Sequence, residues 1–197
     1  MAAVLFLLTL ATPIAVWQLG TSDPFRFWLN EDTTVPLRVW YRGVRAAVVK
    51  ENSQSIRIRG TPRVVLAEPS HTQFRMAMVL SGSGALEGIR IRMRTTEHNL
   101  STNGDGGITL ILDRTGTRIG DGSTLLVQTD TIRYEPSRSL RIAVEHEGKE
   151  TRIAIGCSVF GPFRSRHPAT SQTIIEPLGS ADALVLISDI VAEGVSP

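Results

Sequence analysis

Two glutamates flank a histidine at Glu145-His146-Glu147, and residues two apart in an extended chain share a face. That pair is the one place where this sequence hints at glycoside hydrolysis, which needs a carboxylic acid and a carboxylate about 5 Å apart across a single bond in the retaining case. Gly148 follows at once, so the expectation is a solvated hairpin end rather than a catalytic pair. Other chemistry has less support. His71, His98, His146 and His167 show no ligand spacing, and no CxxCH motif offers covalent haem attachment. Ser83 sits in Ser81-Gly82-Ser83-Gly84, which is not the Gly-x-Ser-x-Gly elbow of a nucleophilic serine. Asn103 and Asp105 could offer oxygens to calcium, but the acid count is low, and Asn103-Gly104-Asp105-Gly106-Gly107 reads better as a turn. The lone Cys157 excludes an intrachain disulfide, and Ile153-Ala154-Ile155-Gly156-Cys157 predicts a small buried residue at a strand end. No phosphate-binding or dinucleotide fingerprint occurs. The expectation is a protein that is not an enzyme and that carries no metal, no cofactor and no small-molecule substrate.

The elements that would position any site are strands. Ile89, Ile91 and Met93 alternate with Arg90, Arg92 and Arg94, which predicts one apolar and one solvated face. Similar runs appear at 46–50, 55–59, 63–67, 74–80, 108–113, 125–129, 140–146, 151–155, 173–175 and 184–191, and Glu147-Gly148-Lys149 marks a hairpin. No amphipathic helix longer than two turns follows the first twenty residues. About ten short strands without crossover helices predict antiparallel sheets packed as a sandwich. The +2 formal charge is too small, and its arginines too dispersed, to imply nucleic-acid binding.

From Phe74 onward the order of elements resembles the concanavalin A-like jelly roll. The resemblance rests on Gly88-Ile89-Arg90-Ile91-Arg92, Gly107 to Leu112, Leu140 to Val144 with its hairpin, and a last strand from Ala183 to Val191 containing Ser188-Asp189-Ile190. It covers residues 35 to 194 and is one of pattern. That superfamily implies glycan-binding modules, glycoside hydrolases or structural modules, and the Glu-x-Asp-x-x-Glu arrangement of its retaining hydrolases is missing here.

Residues 1–20 carry no charge and match the length of a single membrane-spanning helix. No Lys or Arg precedes Arg26, and Pro13 disturbs the best signal-cleavage candidate, so a retained anchor is expected over a cleaved signal. Seven of the eleven aromatic residues lie before position 42, and Trp17, Phe25, Phe27 and Trp28 read as a membrane-interface belt. The expected division is an anchor over 1–20, an interfacial connector over 21–34 and a β-sandwich over 35–197. Beyond position 41 only Phe74, Tyr134, Phe160 and Phe163 are aromatic. Of these, the Phe160-Gly161-Pro162-Phe163 segment with Arg164 and Arg166 is the expected recognition loop, read as a protein contact.

Together these features predict a non-catalytic, single-span accessory subunit of a larger membrane complex, such as an energy-converting respiratory or photosynthetic assembly. The expected location is the bacterial cytoplasmic membrane with the β-domain in the periplasm. Expected partners are other integral-membrane subunits and the lipid bilayer, with no nucleic acid. The alternative is a membrane-anchored carbohydrate-binding or glycan-processing module of the cell envelope.

Overall fold

The computed structural model describes residues 25–30, 36–41, 47–67, 74–83, 85–95, 107–165 and 172–194, with Phe25 and Phe74 described by their backbone only. Every strand pairing among them is antiparallel, and two sheets result. The eight-stranded sheet runs β1 (Phe25–Leu29), β2 (Leu37–Tyr41), β5 (Val64–Ala67), β14 (Gln172–Gly179), β7 (Leu86–Met93), β8 (Ile108–Asp113), β9 (Gly116–Asp121), β10 (Thr124–Thr129). The seven-stranded sheet runs β13 (Ser158–Arg164), β12 (Glu150–Ile155), β11 (Leu140–Glu147), β6 (Phe74–Ser83), β15 (Leu184–Gly194), β4 (Ser55–Arg59), β3 (Val48–Asn52). The chain crosses between the sheets after β2, β4, β5, β6, β10, β13 and β14, so strands distant in sequence become neighbours.

Period-two patterning explains the layering. Ile89, Ile91 and Met93 of β7 face Met76, Met78 and Leu80 of β6 across one continuous core, while Arg90 and Arg92 turn outward. The sandwich includes β1, so part of the segment expected as a connector is an edge strand paired with β2. Phe27 of that strand packs on the core and Trp28 is 39% exposed on the other face. Trp17 and the anchor expected over 1–20 lie outside the described residues. Among the described residues no helix is long and apolar enough to cross a membrane.

Three hairpins show how local chemistry sets the register. Gly148 and Gly156 each take the first central position of a two-residue turn, with φ of 53° and 59°. The second of these corrects the expectation for Cys157: the glycine opens a turn rather than closing a strand, and the thiol is exposed. The third turn joins β8 to β9, where Asp113 Oδ1 accepts hydrogen bonds from the Thr115 amide at 2.8 Å, its hydroxyl at 2.5 Å and the Gly116 amide at 3.2 Å.

Candidate functional site

Register places a row of small side chains across the solvent face of the seven-stranded sheet. Val191 of β15 pairs with Ala77 of β6, Ala77 with Ala143 of β11, Ala143 with Ala154 of β12, and Ala154 with Val159 of β13. The row crosses five strands, roughly 19 Å at ~4.8 Å per step. Long side chains rise on both sides, so the row is the floor of a trough. One wall is Glu193, Arg75, Glu145 and Arg152, each the cross-strand partner of the next and opposite to it in charge. The other contains Val79, Arg141 and Asp189. At the β6 end the trough deepens into a cavity of about 410 Å³ lined by Arg75, Ala77, Val79, Arg141, Asp189 and Glu193.

A β-bulge aims Asp189 at this cavity. Ser188 pairs with Val79 and Val191 with Ala77, which leaves one extra residue in β15, and Asp189 takes a φ of 50°. Ile190 anchors the bulge by burying its side chain completely and donating its amide to the Gln54 carbonyl at 3.1 Å, while its own carbonyl accepts from Asn30 Nδ2 at 2.9 Å. Arg75, Arg141, Asp189 and Glu193 make no ion pair or side-chain hydrogen bond among the described residues. The cavity therefore offers two guanidinium donors and two carboxylate acceptors to an incoming ligand.

Beyond the cavity, Arg152 occupies the glutamates. Its Nη1 lies 3.9 Å from Glu145 and 3.5 Å from Glu147, and its Nη2 lies 3.8 Å from Glu150. Glu145 and Glu147 share a face, and their side chains are 36% and 57% exposed, which matches the solvated hairpin end expected from sequence. Beneath them, Arg94 reaches from the end of β7 to the opposite sheet. Its Nε donates to Thr151 Oγ1 at 2.6 Å and its Nη2 to the carbonyls of Gly148 at 2.8 Å and Glu150 at 2.6 Å. His146, fully buried, lies with Nδ1 3.0 Å from the same Thr151 hydroxyl. Burial, and then the positive charge of Arg94, push the His146 pKa down to about 3. This cluster fixes the hairpin that carries the Glu145 and Arg152 end of the wall.

The residues expected to form a contact loop are arranged differently. The Phe160 to Arg164 segment is part of edge strand β13, where Phe160 and Phe163 lean onto the core and Arg164 is exposed; Arg166 lies outside the described residues. Tyr134 is also a core residue, 5% exposed, with its hydroxyl pKa raised by burial. Trp28 is the exposed aromatic among the described residues, and it lies on the other sheet from the trough. Asn103 and Asp105 fall outside the described residues, and among those described no three His, Cys, Asp or Glu side chains converge as metal ligands. The trough itself had no sequence signal, because Ala77, Ala143 and Ala154 meet only through strand pairing.

No family model matches this chain, and no curated protein matches it. Solved structures do. The carbohydrate binding module CBM66 from Bacillus subtilis is 11% identical with a TM-score of 0.50, covering 71% of this chain and 86% of its own. A putative glycosyl hydrolase from Parabacteroides distasonis is 8% identical with a TM-score of 0.54, covering 79% and 93%. The exoplasmic/lumenal domain of VIP36, in a form bound to Ca2+ and Man3GlcNAc, is 11% identical with a TM-score of 0.53, covering 81% and 84%. These likenesses correct the expectation of an accessory subunit in a membrane complex: the structures that share this architecture are a carbohydrate binding module, a putative glycosyl hydrolase and a glycan-bound domain. They include both a binding module and putative hydrolases, so the fold leaves catalysis open. What they establish is architecture: this chain folds as a jelly-roll β-sandwich.

Proposed function

We propose that this protein is a non-catalytic carbohydrate-binding module of the cell envelope and that the trough on its seven-stranded sheet holds the glycan. The small-residue floor across five strands carries the reading. A pyranose presents a C–H face and a rim of hydroxyls, so it needs a flat apolar floor and polar side chains at the edges. Ala77, Ala143 and Ala154 supply the first, and Arg75, Arg141, Asp189 and Glu193 the second. At roughly 19 Å the floor takes three to four sugar units, given ~4.8 Å per strand. The fold likeness to a carbohydrate binding module and to a glycan-bound VIP36 domain supports this reading. In the same proposal the uncharged residues 1–20 anchor the module in the bacterial cytoplasmic membrane with the sandwich on the periplasmic side.

A glycan array with the full chain in mild detergent tests it. Ala143→Leu raises the floor in mid-trough on a solvent-facing position and is expected to reduce binding at least tenfold. Trp28→Ala, on the opposite sheet, is expected to leave binding intact. No glycan above background, or loss with Trp28→Ala but not with Ala143→Leu, would contradict the assignment.

A further inference from the structure

The solvent face of the other sheet carries a separate feature. Three guanidinium groups converge on the single carboxylate of Glu176 in β14: Arg63 Nε lies 2.7 Å from Oε1, and Arg92 Nε and Arg90 Nη1 lie 3.2 and 3.4 Å from Oε2. Glu176 is nearly buried, with its side chain 12% exposed, so it is a fixed hub. Register explains the convergence. Glu176 pairs with Arg90, Arg90 with Ile111, and Ile111 with Arg118 of β9. The next row is Ile174, Arg92, Thr109, Gly120 and Leu125.

Gly120 carries no side chain, and a recess of about 290 Å³ opens over it. Arg90, Arg92 and Arg118 line the recess together with Thr109, Ser123 and Thr124. Arg118 pairs with Asp113, whose carboxyl is held below its ordinary pKa: burial works the other way but is outweighed by the hydrogen bonds from Thr115 and by Arg118. Four arginines therefore share two carboxylates, and two positive charges remain uncompensated around a concave, hydroxyl-lined space.

We infer that this recess is an oxyanion site, and that it takes a carboxylate or sulfate group borne on an acidic polysaccharide. Guanidinium donors match the planar carboxylate and the sulfate oxygens in a way that a point charge does not. The shape selects a polysaccharide over a membrane surface. Arg92 is set into the sheet with its side chain 26% exposed, whereas binding to a headgroup layer needs protruding cations. The recess shares no residue with the trough cavity on the opposite sheet.

The test is isothermal titration of the full chain with polygalacturonate, heparin, dextran and vesicles of phosphatidylcholine with 30% phosphatidylglycerol. Polygalacturonate or heparin is expected to bind, more weakly as salt rises, while dextran and vesicles give no Arg92-dependent signal. Arg92→Gln with Arg118→Gln is expected to weaken that binding at least tenfold. Ser123→Glu, an exposed turn position at the rim, is expected to weaken it at least fivefold without touching the ion-pair network. Arg59→Gln with Arg138→Gln removes equal charge elsewhere and is expected to bind like the wild type. Equal affinity for the Arg92/Arg118 or Ser123 variants, equal loss with Arg59/Arg138, or vesicle binding without polysaccharide binding would overturn the proposal.

Discussion

At the scale of single residues, burial decides roles that residue type leaves open. His146 belongs to the sequence triplet that hints at catalysis, yet it lies fully buried beside Thr151 and the Arg94 guanidinium. With its folded-state pKa pushed down to about 3 against an ordinary 6.5, the unfolded chain binds a proton at this position that the folded chain refuses between those values. Stability is therefore expected to fall with acidification through that window, with His146 adding a slope of up to about 1.4 kcal/mol per pH unit. Urea unfolding at pH 7, 5.5 and 4.5 measures it. His146→Gln should flatten the profile, and an unchanged slope would mean that the imidazole is not buried as described. Cys157 gives the complementary lesson. Ile155-Gly156-Cys157-Ser158 and Glu147-Gly148-Lys149-Glu150 form the same glycine-first turn, but only the second carries polar residues that announce it. Apolar neighbours concealed the first, and the thiol is exposed as a result.

At the scale of elements, alternation was legible wherever one face is buried. The segments 55–59 and 108–113 match β4 and β8, and Ile89 to Met93 lies within β7. The strands that escaped the sequence are those whose composition argues against extension. Gly116 and Gly120 disguise β9, and Gly161-Pro162 disguises β13, where an edge position tolerates a missing amide donor. Asp23-Pro24 upstream and Asn30 to Thr34 downstream made β1 look like a connector. The pairing of β7 with β8 has its own test in Gly88, where an added Cβ would lie 2.4 Å from the Leu112 carbonyl oxygen and 2.8 Å from Asp113 Cα. Gly88→Ala is expected to cost about 1–3 kcal/mol by overpacking against backbone. A urea midpoint equal to that of the wild type would contradict this register.

At the scale of the whole molecule, function rests on what the two sheets bring together. The sandwich was readable from period two, but neither surface feature was. The trough needs Ala77, Ala143, Ala154 and Val159 from four strands in one row, and alanine alone carries no chemical signal. The oxyanion recess needs β14, β7, β8 and β9 side by side, although Arg90 and Arg92 were visible as the outward half of an alternating strand. Among the described residues no aromatic side chain lines the trough cavity, where guanidinium and carboxylate groups frame the floor instead. The most direct measurement is a titration of isotope-labelled protein with the strongest array glycan, followed by amide chemical shifts. Shifts centred on Ala77, Ala143, Ala154 and the Asp189 bulge are the predicted result. Shifts confined to the eight-stranded sheet around Trp28 and Trp40, with the alanine row silent, would contradict the account.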